Sequence, residues 1–132
     1  MSIHFERDDQ QTVNQVAKEF INFYYQNLNS KNFNEINTLI KPYSIISFEK
    51  VRYTGNNISP LFSIYNNMNM NFTPKDYDTL HSGARRINIL VNGVLNYIEN
   101  GQALERKYTE YIHLATNKEG QFWIQMSMFK LI

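Results

Sequence analysis

The sequence predicts an α+β fold with a mostly antiparallel sheet, and three observations carry that prediction. Helical periodicity is confined to the first half of the chain. The last third, from Arg85 to Ile132, reads as three consecutive strands rich in β-branched and aromatic residues, punctuated by Asn100-Gly101 and by Asn117-Lys118-Glu119-Gly120. Apolar residues fall on both faces of that meander, so it needs cover on both. Early helices and late strands make a segregated α+β arrangement the natural class.

The first element is a helix over roughly residues 9–29. Val13, Val16, Ala17, Phe20, Ile21, Tyr24 and Leu28 follow a 3/4 spacing, with Lys18, Asn22 and Gln26 on the other side. Asp8 or Asp9 is placed to cap it. A second, short helix is expected from Asn32 to Ile40, stopped by Pro42. Tyr43 to Gly55 is either one long strand or a hairpin turning near Lys50. Ser59-Pro60 then opens a third helix through Met68, with Ser59 as cap and Pro60 at the first helical position. Asn69 to Pro74 reads as loop, although Met70 and Phe72 alternate as in an edge strand, and Asp76 to Gly83 reads as a strand. The closing meander runs over residues 86–97, 107–115 and 122–132. Strict alternation puts Phe122, Ile124, Met126 and Met128 on one face of the last strand, and Trp123, Phe129 and Leu131 on the other.

Composition limits the function classes. At 132 residues, with no internal repeat or linker, the chain is expected to form a single domain over 1–132. Thirteen basic and twelve acidic side chains nearly cancel, so no basic excess favours direct binding of nucleic acid. The basic doublets Arg85-Arg86 and Arg106-Lys107 read as solvated strand ends. Without cysteine there is no disulfide, no thiolate chemistry and no Cys-based zinc site. The N-terminal residues lack the apolar core of a signal peptide, and no apolar run approaches the roughly 18–20 residues that span a bilayer. A soluble intracellular domain with no membrane partner is expected.

Several local patterns, taken in order, resemble the nuclear transport factor 2-like family. Val16 to Tyr25 is similar to that family's aromatic first helix. Ile45-Ile46-Ser47-Phe48-Glu49 followed by Tyr53-Thr54-Gly55-Asn56-Asn57-Ile58 is similar to its hairpin and the entry to its third helix. Leu90-Val91-Asn92-Gly93-Val94-Leu95 resembles its strand with a central glycine, and Phe122 to Leu131 resembles its last strand. The resemblance spans roughly residues 10–132. It implies a cone of curved, mostly antiparallel sheet wrapped around the long N-terminal helix. Fold alone does not assign function. Members include Ran importers, small subunits of the mRNA export receptor, scaffolding domains and small enzymes.

Residues separate these classes. An importer implies Glu49 as a contact to Ran-GDP together with an acidic pair in the 97–101 loop. Only Glu99 is acidic there, so the pair that would grip a lysine is incomplete. The alternative for Glu49 is an exposed strand carboxylate. An export small subunit implies a basic residue after the final phenylalanine, the place held by Lys130, whose alternative role is a snorkelling edge lysine. This reading makes the outer face of the C-terminal sheet a partner interface formed by Trp123, Met126, Met128, Phe129 and Lys130. The partner would be a large export receptor subunit or a second copy of the chain. The resemblance further implies that the dimer binds the phenylalanine-glycine repeats of nucleoporins, and a location in nucleus and cytoplasm, at the nuclear pore.

An enzyme would need an acid or base inside the cone. Tyr24, Tyr25, Tyr97, Tyr108, Tyr111, His81 and His113 are the candidates, and no carboxylate can be assigned to an inward strand position. His113, between Ile112 and Leu114, reads as a hydrogen-bonded sheet residue. The dispersed histidines give no metal signature, and no cofactor is expected. The expectation is therefore a non-enzymatic transport adaptor. A Ran-GDP import factor, a peptide-binding scaffold and a small cone-fold enzyme stand as alternatives. A buried tyrosine beside a titrating carboxylate would be the first sign of the last.

Overall fold

The computed structural model describes residues 10–81, 83 and 85–132. The expected Asp8 or Asp9 cap lies outside them. Helix α1, Gln10–Asn29, is followed by α2, Phe33–Asn37, and by strands β1, Ile40–Phe48, and β2, Val51–Thr54. A single 3₁₀ turn leads into α3, Ser59–Asn67. Strands β3, Asn71–His81, β4, Arg86–Glu99, β5, Gln102–Thr116, and β6, Phe122–Leu131, complete the chain. They form one curved sheet in the order β2-β1-β6-β5-β4-β3. Every neighbouring pair is antiparallel except β1 with β6. This is the α+β architecture the sequence predicts.

Helix α1 buries the stripe its spacing predicts: Val13, Val16, Ala17, Phe20, Ile21, Tyr24, Tyr25 and Leu28. Each fully buried large apolar side chain of this kind contributes about 1.5–3 kcal/mol relative to exposure. The helix lies along β3, and polar side chains fix it there. Thr79 Oγ1 donates to Asn14 Oδ1 at 2.8 Å. At the helix C-terminus, Asn29 accepts from Phe72 N–H and donates to Phe72 C=O, both at 2.7 Å. That side-chain pair imitates a strand partner, and it gives a reason why β3 begins at Asn71 rather than after the expected loop.

Other boundaries also differ from the sequence reading. Helix α2 ends five residues in, and Ile40 already belongs to β1. Pro42 does not stop the helix. It lies within β1 where pairing with β6 is irregular, between Ile40↔Ile124 and Ile45↔Met126, so its missing N–H costs no ladder bond there. Ser44 fills the gap by donating to Ile124 C=O at 2.6 Å and accepting from Lys41 N–H at 2.9 Å. The 43–55 segment is a hairpin whose turn residues Glu49 and Lys50 adopt φ +48° and +72°. Asn100 and Gly101, φ +53° and +74°, make the two-residue turn between β4 and β5.

One irregularity decides which residues face where. β5 and β6 pair His113 with Met126 but Leu114 with Ile124, so Gln125 is an extra residue on β6. Such a bulge breaks the period of two. Phe122 and Ile124 point into the core. Beyond the bulge it is Ser127 and Phe129 that are buried, while Met126, Met128 and Lys130 are exposed.

Candidate functional site

The concave side of the sheet is filled by aromatic rings. Phe129 stacks on Phe48 at 4.7 Å and on Tyr108 at 4.9 Å between centroids. Phe72 meets Tyr65, Tyr108 and Phe129 edge-on. Tyr24 lies edge-on to Tyr25 at 4.9 Å. Gly93, paired with Tyr108, is what lets that ring lie against β4. A Cβ at this position would meet the ring at 2.7 Å and Thr73 C=O at 2.5 Å. The gap among α1, α3, β1 and β6 is only about 10 Å³, less than one water needs.

Within this packing sits one carboxylate. Glu110 on β5 is 3% exposed. Tyr25 donates to its Oε1 at 2.6 Å and Tyr24 donates to its Oε2 at 2.8 Å. Burial raises the carboxyl from its ordinary 4.5 to about 7, against the two phenol hydrogen bonds, which lower it. Burial, and then the charge of Glu110, pushes the Tyr24, Tyr25 and Tyr65 phenols well above their usual range. The sequence reading assigned no inward carboxylate, and Glu110 corrects it. The signal was the alternation Tyr108, Glu110, Ile112, Leu114, which puts the glutamate on the same face as three core residues.

The convex side is different. Cross-strand registers align Ile45, Met126, His113, Asn88 and Leu80 in one row. Ser47, Met128, Tyr111, Leu90 and Asp78 form the next, and Lys130, Thr109, Asn92 and Asp76 a third. Met128 is 53% exposed, Leu80 68% and Leu90 46%. Asn88 Oδ1 sits at the centre, accepting from Tyr111 Oη at 2.9 Å and lying 2.6 Å from His113 Nδ1. His113 is thus the hydrogen-bonded sheet residue expected from sequence. Burial and the charge of Arg86 hold its imidazole below the usual range.

Of the five residues assigned to a partner interface, Met126, Met128 and Lys130 share this exposed face. Phe129 does not. It is 3% exposed and belongs to the core, because the bulge at Gln125 reverses the face expected for it. Trp123 is half-buried at the opposite end of β6, with Lys41 Nζ 5.2 Å from its ring centroid. Glu49 is a turn residue rather than a strand residue. Its Oε1 accepts from Leu131 N–H at 3.0 Å, so one carboxylate oxygen already anchors the last strand. Tyr97 is buried, and His81 is half-buried at the end of β3, away from Glu110 in the sequence of strands. Among the described residues, no group of three or more His, Asp or Glu side chains is arranged to hold a metal ion, and no helix is long and apolar enough to cross a membrane.

A family model for the Nuclear transport factor 2 (NTF2) domain matches residues 16–131. The chain belongs to the NTF2 domain family. Solved NTF2-like structures share its fold at low identity. Nuclear transport factor 2 from Cryptosporidium parvum is 20% identical, with TM-score 0.74, covering 92% of this chain and 95% of that one. An NTF2-like superfamily protein from Salmonella enterica is 14% identical with TM-score 0.81, covering 93% of each chain. A provisionally assigned scytalone dehydratase from Novosphingobium aromaticivorans is 8% identical with TM-score 0.78, covering 93% and 89%. No curated protein matches the sequence significantly. The NTF2 fold thus houses both kinds of chemistry considered above, and residues must choose between them.

Proposed function

We propose that this chain is a non-enzymatic transport adaptor. It pairs through the outer face of its sheet with a second chain of the same fold, in the manner of the small subunit of an mRNA export receptor. The observation that carries the reading is the exposed apolar surface of Ile45, Met126, Met128, Leu90 and Leu80 on adjacent rows, bordered by Lys130. Apolar surface of this kind, rimmed by polar residues, marks protein contacts. Methionine supplies adaptable packing there. The tightly filled cone supports the same reading, because the gap beside Tyr24 and Tyr65 is too small for a substrate. The dimer would then bind the phenylalanine-glycine repeats of nucleoporins and so help the receptor pass nuclear pores.

Light scattering on the purified chain, alone and mixed with the NTF2-like domain of a large export receptor, tests this. A monomer that pairs only with the receptor domain, and loses that pairing in Met128→Glu, supports it. A chain that stays monomeric in both experiments overturns it. A homodimer that binds Ran-GDP, and loses binding in Glu49→Lys, replaces it with the import-factor reading. Binding of short phenylalanine-containing peptides alone favours a scaffold.

Glu110 beside Tyr24 and Tyr25 favours a second reading, a cone-fold enzyme in which a carboxyl titrating near neutrality is the acid–base group. It requires the cone to open. Small-molecule titration by NMR that shifts Tyr24, Tyr25 and Ile112, and fails in Glu110→Gln, would support it.

A further inference from the structure

The two phenol hydrogen bonds of Glu110 join the C-terminal half of α1 to the middle of β5, residues 85 and 86 positions apart in the chain. The groups that face this carboxyl are Tyr24 and Tyr25 from α1, Tyr65 from α3, Tyr108 from β5 itself and, behind Tyr65, Tyr53 from β2. Its cross-strand neighbours are Val91 on β4 and Phe129 on β6. None of these is a cation. Among the described residues, an ionised Glu110 is therefore a buried charge stabilised by two phenols alone.

A protonated Glu110 fits the same site better. Tyr108 Oη, next to Tyr25, is buried without a well-formed partner. With a proton on Oε1, the carboxyl can donate to Tyr25, and Tyr25 is freed to donate to Tyr108. Tyr24 continues to donate to Oε2. The proton thus adds a partner for an otherwise unsatisfied hydroxyl and removes a charge. We propose that Glu110 is a proton-operated latch between α1 and β5. When it is protonated the helix is held in the cone as seen here, and when it loses its proton the helix loosens from the sheet.

The latch does not depend on which partner docks on the outer face. Two measurements test it. The carboxyl ¹³C resonance of Glu110 should titrate near pH 7 and not near 4.5. Hydrogen exchange of the α1 amides around Phe20 to Leu28, corrected for intrinsic base catalysis, should quicken by up to roughly tenfold between pH 6 and pH 8, the share of the full linkage of about 300-fold that falls in this range. In Glu110→Gln the corrected exchange should not change with pH. Tyr108→Phe keeps the carboxyl and both phenol donors but removes the hydroxyl that gains a partner only in the protonated form, so the midpoint should move downward. A midpoint near 4.5, α1 exchange that is flat across this range in the wild-type protein, or an unmoved midpoint in Tyr108→Phe would each overturn the proposal.

Discussion

The two faces of β5 and β6 make opposite use of neighbouring residues. On the concave side Phe129, Tyr108 and Glu110 are closed over by α1 and α3, so their polar atoms depend on protein partners, which Glu110 has and the Tyr108 hydroxyl lacks. On the convex side Met128, Tyr111 and Lys130, each adjacent to one of those, remain at least partly open. The difference teaches where to look for function. Apolar exposure on the outer face has no structural explanation within the chain, whereas apolar burial on the inner face is explained by packing alone. The exception is Glu110, whose charge packing does not require.

The sharpest way to break the comparison is truncation on either side. Phe129→Ala should cost about 3–5 kcal/mol in urea denaturation, and Met128→Ala, measured on the monomer, less than about 1 kcal/mol. Equal costs would mean that the two faces are not as different as they look.

Glu110→Gln probes the exception. The folded protein holds its proton up to about pH 7, while the unfolded chain releases it near 4.5. Stability is therefore fully present below 4.5 and falls as pH rises through about 7, beyond which the loss levels off. The substitution should stabilise the protein by up to about 3 kcal/mol at pH 8, relative to its effect at pH 4, and flatten the profile. A wild-type melting temperature that rises from pH 5 to pH 8, with no contribution lost in the mutant, would contradict this.

Smaller effects test the support of each face. Gly93→Ala should cost about 1–3 kcal/mol, because the new methyl group meets both Tyr108 and the β3 backbone. Tyr111→Phe removes one outer hydrogen bond to Asn88 and should cost no more than about 1 kcal/mol, read from the same denaturation curves.

Much of the architecture was legible because it rests on local periodicity. The α1 stripe from Val13 to Leu28, the Pro60 entry to α3 and the Asn100-Gly101 turn each follow from a few adjacent residues. Lys50 as a turn was legible as one of two options, and its positive φ decides between them. The candidate site was less so. Met126, Met128 and Lys130 share a surface, but Phe129 was grouped with them because alternation was carried through a bulge that no local pattern marks. Glu110 was visible in a period-two run but not recognised as inward.

What the sequence by itself determined is the set of elements and their apolar stripes, since helix and strand periods are properties of neighbouring residues. The tertiary structure alone decided which side of β6 faces the core, because an extra residue on one strand is defined only against its partner. It also decided that Tyr24 and Tyr25 meet Glu110. That contact forms only when the curved sheet closes over α1, and there burial raises the proton affinity of a carboxyl group that would be ionised in water near neutrality.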